Sequence, residues 1–252
     1  MTRKIALITG ASRGLGKSAA LHLAAQGVDI IGTYHSASGE AQAVKAQIEA
    51  LGGRAAMLQL DVSQSGTFND FVGEIATVLK DVFARDHFNF LINNAGIGAH
   101  ASFAETTEEQ FDRLMAIHFK APFFLTQKLL PLISDGGRII NISSGLARFS
   151  LPGYAAYASM KGAVEVLSRY QAKELGPRGI TVNTLAPGAI ATDFSGGAVR
   201  DNPALNAMVA NNTALGRAGL PDDIGGAIST LLAEGSNWIT GQRIEASGGM
   251  FL

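Results

Sequence analysis

The stretch that decides the fold is residues 4–16, which read KIALITGASRGLG. It begins with an apolar run, as expected of a parallel strand that is covered on both faces. Three glycines, Gly10, Gly14 and Gly16, then open a segment whose pattern predicts a helix at about Gly16–Gln26. Glycines at such a junction let the backbone approach a pyrophosphate closely, and the free N–H groups of the helix N-terminus attract its charge. The stretch predicts a dinucleotide site, and the alternative is a merely tight turn.

Short apolar runs alternate with amphipathic segments along the rest of the chain. This repeated strand–helix order predicts an α/β fold of the Rossmann type, doubly wound, with a seven-stranded parallel sheet and helices on both faces. We expect one domain over residues 1–252. The expected strands are Lys4–Thr9, Val28–Tyr34, Arg54–Leu60, Phe88–Asn93, Arg138–Ile142, Ile180–Leu185 and Gln242–Glu245. The further helices are expected at about Ser38–Leu51, Thr67–Phe83, Glu108–Leu132, Tyr154–Leu175 and Pro221–Ala233.

One segment, Thr192 to Gly216, is less regular than the rest. It contains the pairs Gly196-Gly197, Asn202-Pro203 and Asn211-Asn212. It follows the sixth strand, at the carboxyl edge of the sheet where open α/β folds bind ligands. We expect a substrate lid at about 192–216, and an ordinary surface loop is the alternative.

The residues after the second strand indicate which dinucleotide binds. An NAD site usually places an acid about 20 residues past the glycines, whereas this chain reads Thr33-Tyr34-His35-Ser36 there. Arg13 can hold a 2′-phosphate by charge-assisted hydrogen bonds, with His35 and Ser36 as further donors. We therefore expect NADP(H) as cofactor rather than NAD(H). The alternative for Arg13 is a solvated charge.

Two further strand ends supply candidate cofactor contacts. Asp61, followed by Val62, ends the third strand and is placed to bond an adenine amino group, although an aspartate there also caps helices. The fourth strand ends in Asn94-Ala95-Gly96, preceded by Asn93. Small residues leave room for a ribose, and asparagines satisfy loop backbone groups. A local turn is the alternative for each residue taken singly.

Tyr157 and Lys161 are the candidate catalytic pair. They lie four residues apart on an expected helix and so share a face. A free phenol has a pKa near 10, and an ammonium held close lowers it towards a working pH. Ser144, at the end of the fifth strand, can hold a substrate oxygen beside the Tyr157 hydroxyl. Chance spacing is the alternative for the pair alone.

Four motifs follow one another along the chain. They are Thr9-Gly10-x-x-x-Gly14-x-Gly16, Asn93-Asn94-Ala95-Gly96, Ser144 with Tyr157-x-x-x-Lys161, and Pro187-Gly188 followed by Ile190 and Thr192. By these motifs the chain resembles the short-chain dehydrogenase/reductase family over nearly its full length. The resemblance implies hydride transfer between NADP(H) and a carbonyl or alcohol carbon.

The resemblance also implies a role for each motif. The serine positions the carbonyl, the tyrosine transfers its proton, and the lysine lowers the tyrosine pKa and bonds the nicotinamide ribose. The segment from Pro187 to Thr192 lies along the nicotinamide. The full set of expected cofactor contacts is Gly10, Ser12, Arg13, Gly14, Leu15, Gly16, His35, Ser36, Asp61, Val62, Asn94, Ala95, Gly96, Tyr157, Lys161, Pro187, Gly188, Ile190 and Thr192.

The chain departs from the family pattern at His118, where an asparagine is usual. That asparagine helps to hold a water that relays protons from the lysine. Histidine titrates near neutrality and can relay protons itself, so we include His118 among the candidate catalytic residues. The alternative is a neutral packing histidine without a role in turnover. A second departure, a longer segment from Val62 to Asn93, predicts a longer surface helix and loop.

The expected substrate is a ketone or aldehyde with a hydrophobic or aromatic group. Candidate substrate contacts are Ser144, Leu146 and Phe149 after the fifth strand, and Phe194 in the lid. Phe149 and Phe194 can equally pack into the fold. Arg148 is either a contact for an anionic substrate or a solvated charge.

Two alternative functions stay open. The chain looks most like the 3-oxoacyl-[acyl-carrier-protein] reductases, for which Asp135 is unfavourable because an acidic carrier prefers a basic docking surface. Arg178 leaves that function open. The other alternative is an NADP-binding regulator without catalysis. Such regulators usually lack the tyrosine or the lysine, whereas this chain has both Tyr157 and Lys161.

Composition limits the remaining possibilities. The net charge is −1 and the 252 residues include no cysteine, so we expect neither nucleic-acid binding nor disulfides or thiolate chemistry, and we predict no metal site. No apolar run reaches the length of about 20 residues that spans a bilayer, and the first run is too short for an export signal. We expect a cytoplasmic protein without membrane partners. The resemblance implies a homotetramer paired through the long helices.

Overall fold

The structure is a computed structural model that describes residues 3–252. Within these residues the strands are β1 Ile5–Ile8, β2 Asp29–Tyr34, β3 Ala55–Gln59, β4 Phe88–Asn93, β5 Ile133–Ile142, β6 Thr181–Pro187 and β7 Arg243–Ala246. They form one parallel sheet in the order β3-β2-β1-β4-β5-β6-β7. The strand order reverses between β1 and β4, which is where such sheets open a ligand crevice at their carboxyl ends. The predicted Rossmann-type α/β fold is confirmed.

Helices cover both faces of the sheet. Their bounds are α1 Gly14–Ala25, α2 Ser38–Ala50, α3 Phe68–Phe83, α4 Glu108–Met115, α5 Ala121–Leu129, α6 Ala155–Leu175, α7 Ala198–Asp201, α8 Pro203–Asn211 and α9 Pro221–Leu232. Helix α3 lies in the segment from Val62 to Asn93, for which the sequence predicts a longer surface helix and loop. In residues 3–252, no helix combines the length and the apolar character needed to cross a membrane.

Successive residues of β1 serve two separate cores. Leu7 packs with Phe71 of α3 and with α5 on one face, whereas Ile8 packs with Leu23 of α1 and Ile228 of α9 on the other. This follows from the alternation of side chains along a strand. All five side chains are at most 3% exposed, and burying each stabilises the fold by about 1.5–3 kcal/mol. The two cores hold the sheet rigid beneath the crevice.

The single helix expected over Glu108–Leu132 is interrupted. A capping box of Thr107 and Gln110 starts α4, and a π-helical turn at Ala116–Lys120 separates it from α5. A π-turn takes in one residue more than an α-turn, which a pattern of apolar residues does not reveal. Strand β5 begins at Ile133, five residues before the expected start, across a register shift opposite β4.

The irregular segment after β6 contains the two short helices α7 and α8. Asn202 and Pro203, taken as loop signals, begin α8. The Asn202 side chain accepts hydrogen bonds from the backbone N–H groups of Ala204 (3.0 Å) and Leu205 (3.1 Å), and Pro203 occupies the first helical position. The same residue types start helices and make turns, which is why the sequence pattern was ambiguous here.

Candidate active site

The glycine turn lies at the carboxyl end of β1, directly before α1. Gly10 and Gly14 have left-handed φ angles of +68° and +55°, a conformation that favours glycine. A Cβ on Gly16 would lie 2.2 Å from the carbonyl oxygen of Gly10, so no other residue fits there. No side chain of the described residues caps the N-terminus of α1, whose N–H groups therefore remain available to an anion. The turn fits a pyrophosphate.

Thr9 and Asn94 join this turn to the end of β4. The Thr9 hydroxyl oxygen accepts hydrogen bonds from the backbone N–H groups of Asn94 (2.9 Å) and Ala95 (3.0 Å). The Asn94 amide donates back to the carbonyl oxygens of Thr9 (2.9 Å) and Gly10 (3.1 Å). The side-chain amide of Asn94, a residue predicted as a cofactor contact, thus stabilises the turn. Ala95 lies against Gly10, where a Cβ would be 3.1 Å from the Ala95 Cα.

The residues expected at the adenosine end follow three neighbouring strands: Arg13 follows β1, His35 and Ser36 follow β2, and Asp61 follows β3. Arg13, His35 and Ser36 are exposed, and His35 Nε2 lies 3.7 Å from Asp61 Oδ2. The other carboxylate oxygen of Asp61 accepts hydrogen bonds from the Ser63 N–H (2.9 Å) and hydroxyl (2.7 Å). Burial acts to raise the pKa of Asp61, but these two bonds outweigh it, so the pKa is lowered. Asp61 therefore holds a turn with one oxygen and faces His35 with the other.

The candidate catalytic residues come together where the carboxyl end of β5 meets the first turns of α6. Ser144 follows β5, and Tyr157 and Lys161 lie on α6. Tyr157 is 8% and Lys161 5% exposed, and the Lys161 Nζ lies 5.5 Å from the centre of the Tyr157 ring. Nζ donates a hydrogen bond of 2.8 Å to the carbonyl oxygen of Ile142, the last residue of β5. The Ser144 Oγ accepts a bond of 3.2 Å from the Leu146 N–H, and its own hydroxyl acts as a hydrogen-bond donor to Tyr157.

Burial controls the protonation of this pair. It raises the pKa of Tyr157, an effect that the Ser144 hydroxyl partly opposes, and it lowers the pKa of Lys161 to about 7. The sequence led us to expect an ammonium that lowers the tyrosine pKa. In the structure the group that opposes burial is Ser144 and not Lys161, and the cost of burying a phenolate is the larger effect, so Tyr157 is a neutral phenol with a proton to donate.

His118 is buried within the π-helical turn. Its Nε2 lies 2.8 Å from the carbonyl oxygen and 3.2 Å from the backbone nitrogen of Ile97, and its ring packs edge-on against Tyr157 with centres 5.1 Å apart. Burial, followed by the charge of Lys161, places the pKa of His118 well below its usual range. A Cβ on Gly96 would lie 2.7 Å from the His118 Cε1. The ring therefore packs against Gly96 and Tyr157, and its lowered pKa favours the neutral form.

The segment from Pro187 to Thr192 returns to the glycine turn. The Gly188 N–H donates a bond of 3.1 Å to the carbonyl oxygen of Ala246, and Ile190 pairs with Gly219. A Cβ on Gly14 would lie 3.9 Å from the Thr192 methyl carbon. The structure thus brings the first and last predicted cofactor motifs together at the carboxyl edge of the sheet, the edge at which Ser144 follows β5.

The predicted substrate contacts separate into two groups. Phe194, 44% exposed, has its ring 6.0 Å from that of Tyr157, and Leu146 packs in the Tyr157 cluster. Phe149 instead packs 4.7 Å from the ring of Phe251 and against Gly145, where a Cβ would be 2.7 Å from the Phe149 ring. We assign Phe149 to the packing of the C-terminus rather than to the substrate pocket.

Sequence reasoning missed residues near Tyr157 and a cleft that lies next to them. His100 and Tyr154 pack edge-on with ring centres 5.1 Å apart, and Tyr154 lies close enough to Tyr157 to act on its pKa. His100, Glu105, Gln110 and Gly153 line a cleft of about 450 Å³. Tyr154 stands one helical turn before Tyr157, a spacing that could have identified it. Nothing in the sequence points to His100.

Comparison with known proteins places this arrangement in a family. A family model described as "Enoyl-(Acyl carrier protein) reductase" matches residues 10–251. An oxidoreductase of Methylorubrum extorquens is 37% identical over 98% of this chain and 97% of its own length. A hydroxynaphthalene reductase-like protein, Arp2, of Metarhizium brunneum is 34% identical over 98% and 94%.

Solved structures agree in fold as well as sequence. The promiscuous reductase LugOII, which catalyses keto-reduction at C1 during lugdunomycin biosynthesis, superposes with a TM-score of 0.94 at 39% identity, over 100% of this chain and 99% of that chain. The angucycline C-6 ketoreductase LanV, solved with bound NADP, has a TM-score of 0.93 at 37% identity, over 98% and 95%. The glycine turn, the serine–tyrosine–lysine group and these full-length matches lead to one conclusion: this chain belongs to the short-chain dehydrogenase/reductase family.

Proposed function

We propose that the protein is an NADP(H)-dependent carbonyl reductase that acts on a ketone carried by an aromatic, largely hydrophobic molecule. The observation that carries the proposal is the group of the half-buried Ser144 and the buried Tyr157 and Lys161, at the carboxyl edge of the sheet that also holds the glycine turn. A phenol that burial keeps protonated is a proton donor, and reduction of a ketone requires one.

The side chains divide the reaction between them. Bound NADPH would supply a hydride to the carbonyl carbon. The Tyr157 hydroxyl donates its proton to the carbonyl oxygen, and the Ser144 hydroxyl, whose oxygen already accepts from the Leu146 N–H, donates a hydrogen bond to that oxygen. Lys161 is anchored to the Ile142 carbonyl, so that its remaining protons are available for the ribose and for the electrostatic support of Tyr157. In alcohol oxidation the same proton returns to Tyr157.

The dinucleotide preference rests on charge at the adenosine end. Arg13 lies exposed in the glycine turn, and His35 and Ser36 follow β2, whereas the nearby Asp61 already accepts two bonds from Ser63. Cationic and hydroxyl donors suit a 2′-phosphate. The bound NADP of LanV supports the same choice.

The substrate class rests on the wall opposite Tyr157. Phe194, Leu146 and Tyr154 offer apolar and aromatic surface beside the catalytic phenol. Relatives whose names include hydroxynaphthalene and angucycline reduction support an aromatic polycyclic ketone. Docking of an acidic acyl carrier is less well supported, because Arg178 forms an ion pair with Asp135 at 2.8 Å and is not a free cation.

Assembly into a homotetramer remains a proposal. It is supported by exposed apolar side chains on the two helices that the resemblance assigns to subunit pairing. Phe123 and Phe124 on α5 are 38% and 39% exposed, and Val166 and Tyr170 on α6 are 45% and 65% exposed. Such surface is typical of protein–protein contacts.

Tyr157→Phe removes the proposed proton donor while keeping the buried ring. We expect kcat for ketone reduction to fall by about 10²–10⁴-fold, the usual contribution of general acid catalysis. NADPH binding, followed by fluorescence titration, should be kept. Tyr170→Phe, on the exposed side of the same helix, is the matched control and should behave as the parent. Parental turnover by Tyr157→Phe would contradict the proposal.

Arg13→Ala tests the cofactor preference. Losing hydrogen bonds between a guanidinium and a phosphate costs about 1.5–3 kcal/mol, so we expect kcat/KM for NADPH to fall by about 10- to 100-fold. The value for NADH should stay unchanged, which makes NADH the internal control. A parent protein that uses NADH as well as or better than NADPH would rule out the preference.

Lys161 makes stability depend on pH. Below pH 7 the folded and unfolded chains both carry its proton, and the buried charge destabilises the fold fully. Between pH 7 and the ordinary pKa of 10.5, only the unfolded chain carries it. The free energy of unfolding, relative to that of Lys161→Met, should therefore rise with pH above 7 by at most about 1.4 kcal/mol per pH unit. Urea unfolding at pH 6 to 9 measures this, with Lys173→Met, exposed on the same helix, as control; a flat difference would refute it.

His118→Asn distinguishes a proton relay from a packing role. Because burial and the charge of Lys161 hold the pKa of His118 well below its usual range, we expect the pH dependence of kcat between pH 6 and 9 to keep its shape. The exposed His87, replaced by Asn, controls for the loss of a histidine elsewhere. A displaced or lost inflection in His118→Asn alone would assign it the relay.

A further inference from the structure

Four charged side chains outside the site form a continuous ion-pair network along β7. Glu165 of α6 accepts a bond of 2.7 Å from the Arg243 Nε, Arg243 donates to Glu245 at 2.8 Å, and Arg148 binds Glu245 through two nitrogens at 2.8 and 2.9 Å. Their side chains are 14%, 24%, 20% and 38% exposed in that order from Glu165. Partial burial and several partners distinguish such a network from an isolated surface pair.

One end of this Arg243 network reaches the catalytic serine. An Nη of Arg243 donates to the Ser144 carbonyl oxygen at 3.3 Å, and Glu165 accepts a bond of 2.7 Å from the hydroxyl of Ser143. Glu165 lies one helical turn after Lys161. The network therefore ties the backbone at Ser144 to the helix that carries Tyr157 and Lys161.

The other end of the network reaches the C-terminus. Arg148, predicted as either a substrate contact or a solvated charge, donates to the carbonyl oxygens of Met250 (2.8 Å) and Phe251 (3.1 Å). Met250 packs with Val209 of α8. Arg148 thereby joins the loop after Ser144 to the last residues of the chain and, through them, to the expected lid.

We propose that Arg243, held by Glu165 and Glu245, is a positioning residue that sets the distance between Ser144 and Tyr157. The two hydroxyls act on the same carbonyl oxygen but come from different elements, the loop after β5 and helix α6. The Lys161–Ile142 bond and the Ser143 hydroxyl, which lies 3.4 Å from the Lys161 carbonyl oxygen and bonds Glu165, also join these elements. The Arg243 network adds a bridge that reaches Ser144 itself, through its carbonyl oxygen. The inference rests on the proposed reductase function.

The test compares Arg243→Gln with Arg178→Gln. Arg178 is a matched control because it also binds a carboxylate, that of Asp135 (2.8 Å), and two carbonyl oxygens, those of Leu130 (2.9 Å) and Ile133 (2.5 Å). It does so at the start of β5, whereas Ser144 follows the end of β5. Both variants lose similar bonds, and only one loses them beside the catalytic serine.

We expect Arg243→Gln to lower kcat for ketone reduction by about 10- to 100-fold, as misplacement of a catalytic group does. The Kd for NADPH and the fall in Tm should match those of Arg178→Gln, whose kcat stays within twofold of the parent. Arg243→Lys should recover part of the loss, because it keeps the charge but not the forked geometry. Parental kcat in Arg243→Gln, or equal losses in both variants, would overturn the proposal.

Two additions keep the test decisive. If Arg243→Gln does not fold, Glu165→Gln and Arg243→Lys take its place. Glu165→Gln keeps an acceptor for the Ser143 hydroxyl but breaks the ion pair with Arg243. Parental kcat in both variants would overturn the proposal. Hydrogen exchange of the amides from Ser144 to Phe149, which should speed up in Arg243→Gln and not in Arg178→Gln, needs no substrate. If the parent reduces no ketone, the proposed function fails, while unchanged exchange would refute the positioning role separately.

Discussion

The hydrogen bonds between Thr9 and Asn94 are the interaction on which the crevice depends. Strands β1 and β4 are neighbours in the sheet but lie far apart in the chain, and their following segments leave in opposite directions. The Thr9 hydroxyl and the Asn94 amide satisfy the backbone groups of both segments at the point of divergence. Buried backbone groups without hydrogen-bond partners are costly. Because these bonds supply the partners, the two segments can separate and leave a crevice above a fully buried sheet.

The active site shows how burial assigns chemistry to ordinary residues. Burial shifts the two pKa values in opposite directions: it raises that of Tyr157 and lowers that of Lys161, because it disfavours the charged form of each side chain. A neutral phenol and a lysine that titrates near neutrality result from the same enclosure. The Ser144 hydroxyl is oriented by the Leu146 N–H of the following turn, which donates a hydrogen bond to its oxygen. The reactive groups are therefore set by their surroundings as much as by their identity.

The sequence was sufficient for the sheet and its seven strands, because buried parallel strands and glycine turns have strong local patterns. It was insufficient where a contact is made by residues distant in the chain. The π-helical turn around His118 follows from its fit against Gly96 and Ile97, which no periodicity expresses. The pairing of Arg148 with Glu245 likewise depends on the path of the C-terminus. Asn94 stays a predicted cofactor contact, and the bonds of its amide to the carbonyl oxygens of Thr9 and Gly10 became visible only in the geometry.

The dinucleotide crevice is assembled from segments that follow β1, β4, β5 and β6, with the β7 edge supporting them. None of these segments forms the crevice alone, so the binding surface exists only once the whole parallel sheet has paired, a topology with many non-local contacts and hence slow folding. A molecule that occupies the crevice therefore stabilises the entire chain against unfolding rather than one loop, by an amount that grows with its concentration above its dissociation constant. In the cell, the supply of such a molecule would govern the protein's lifetime as well as its turnover.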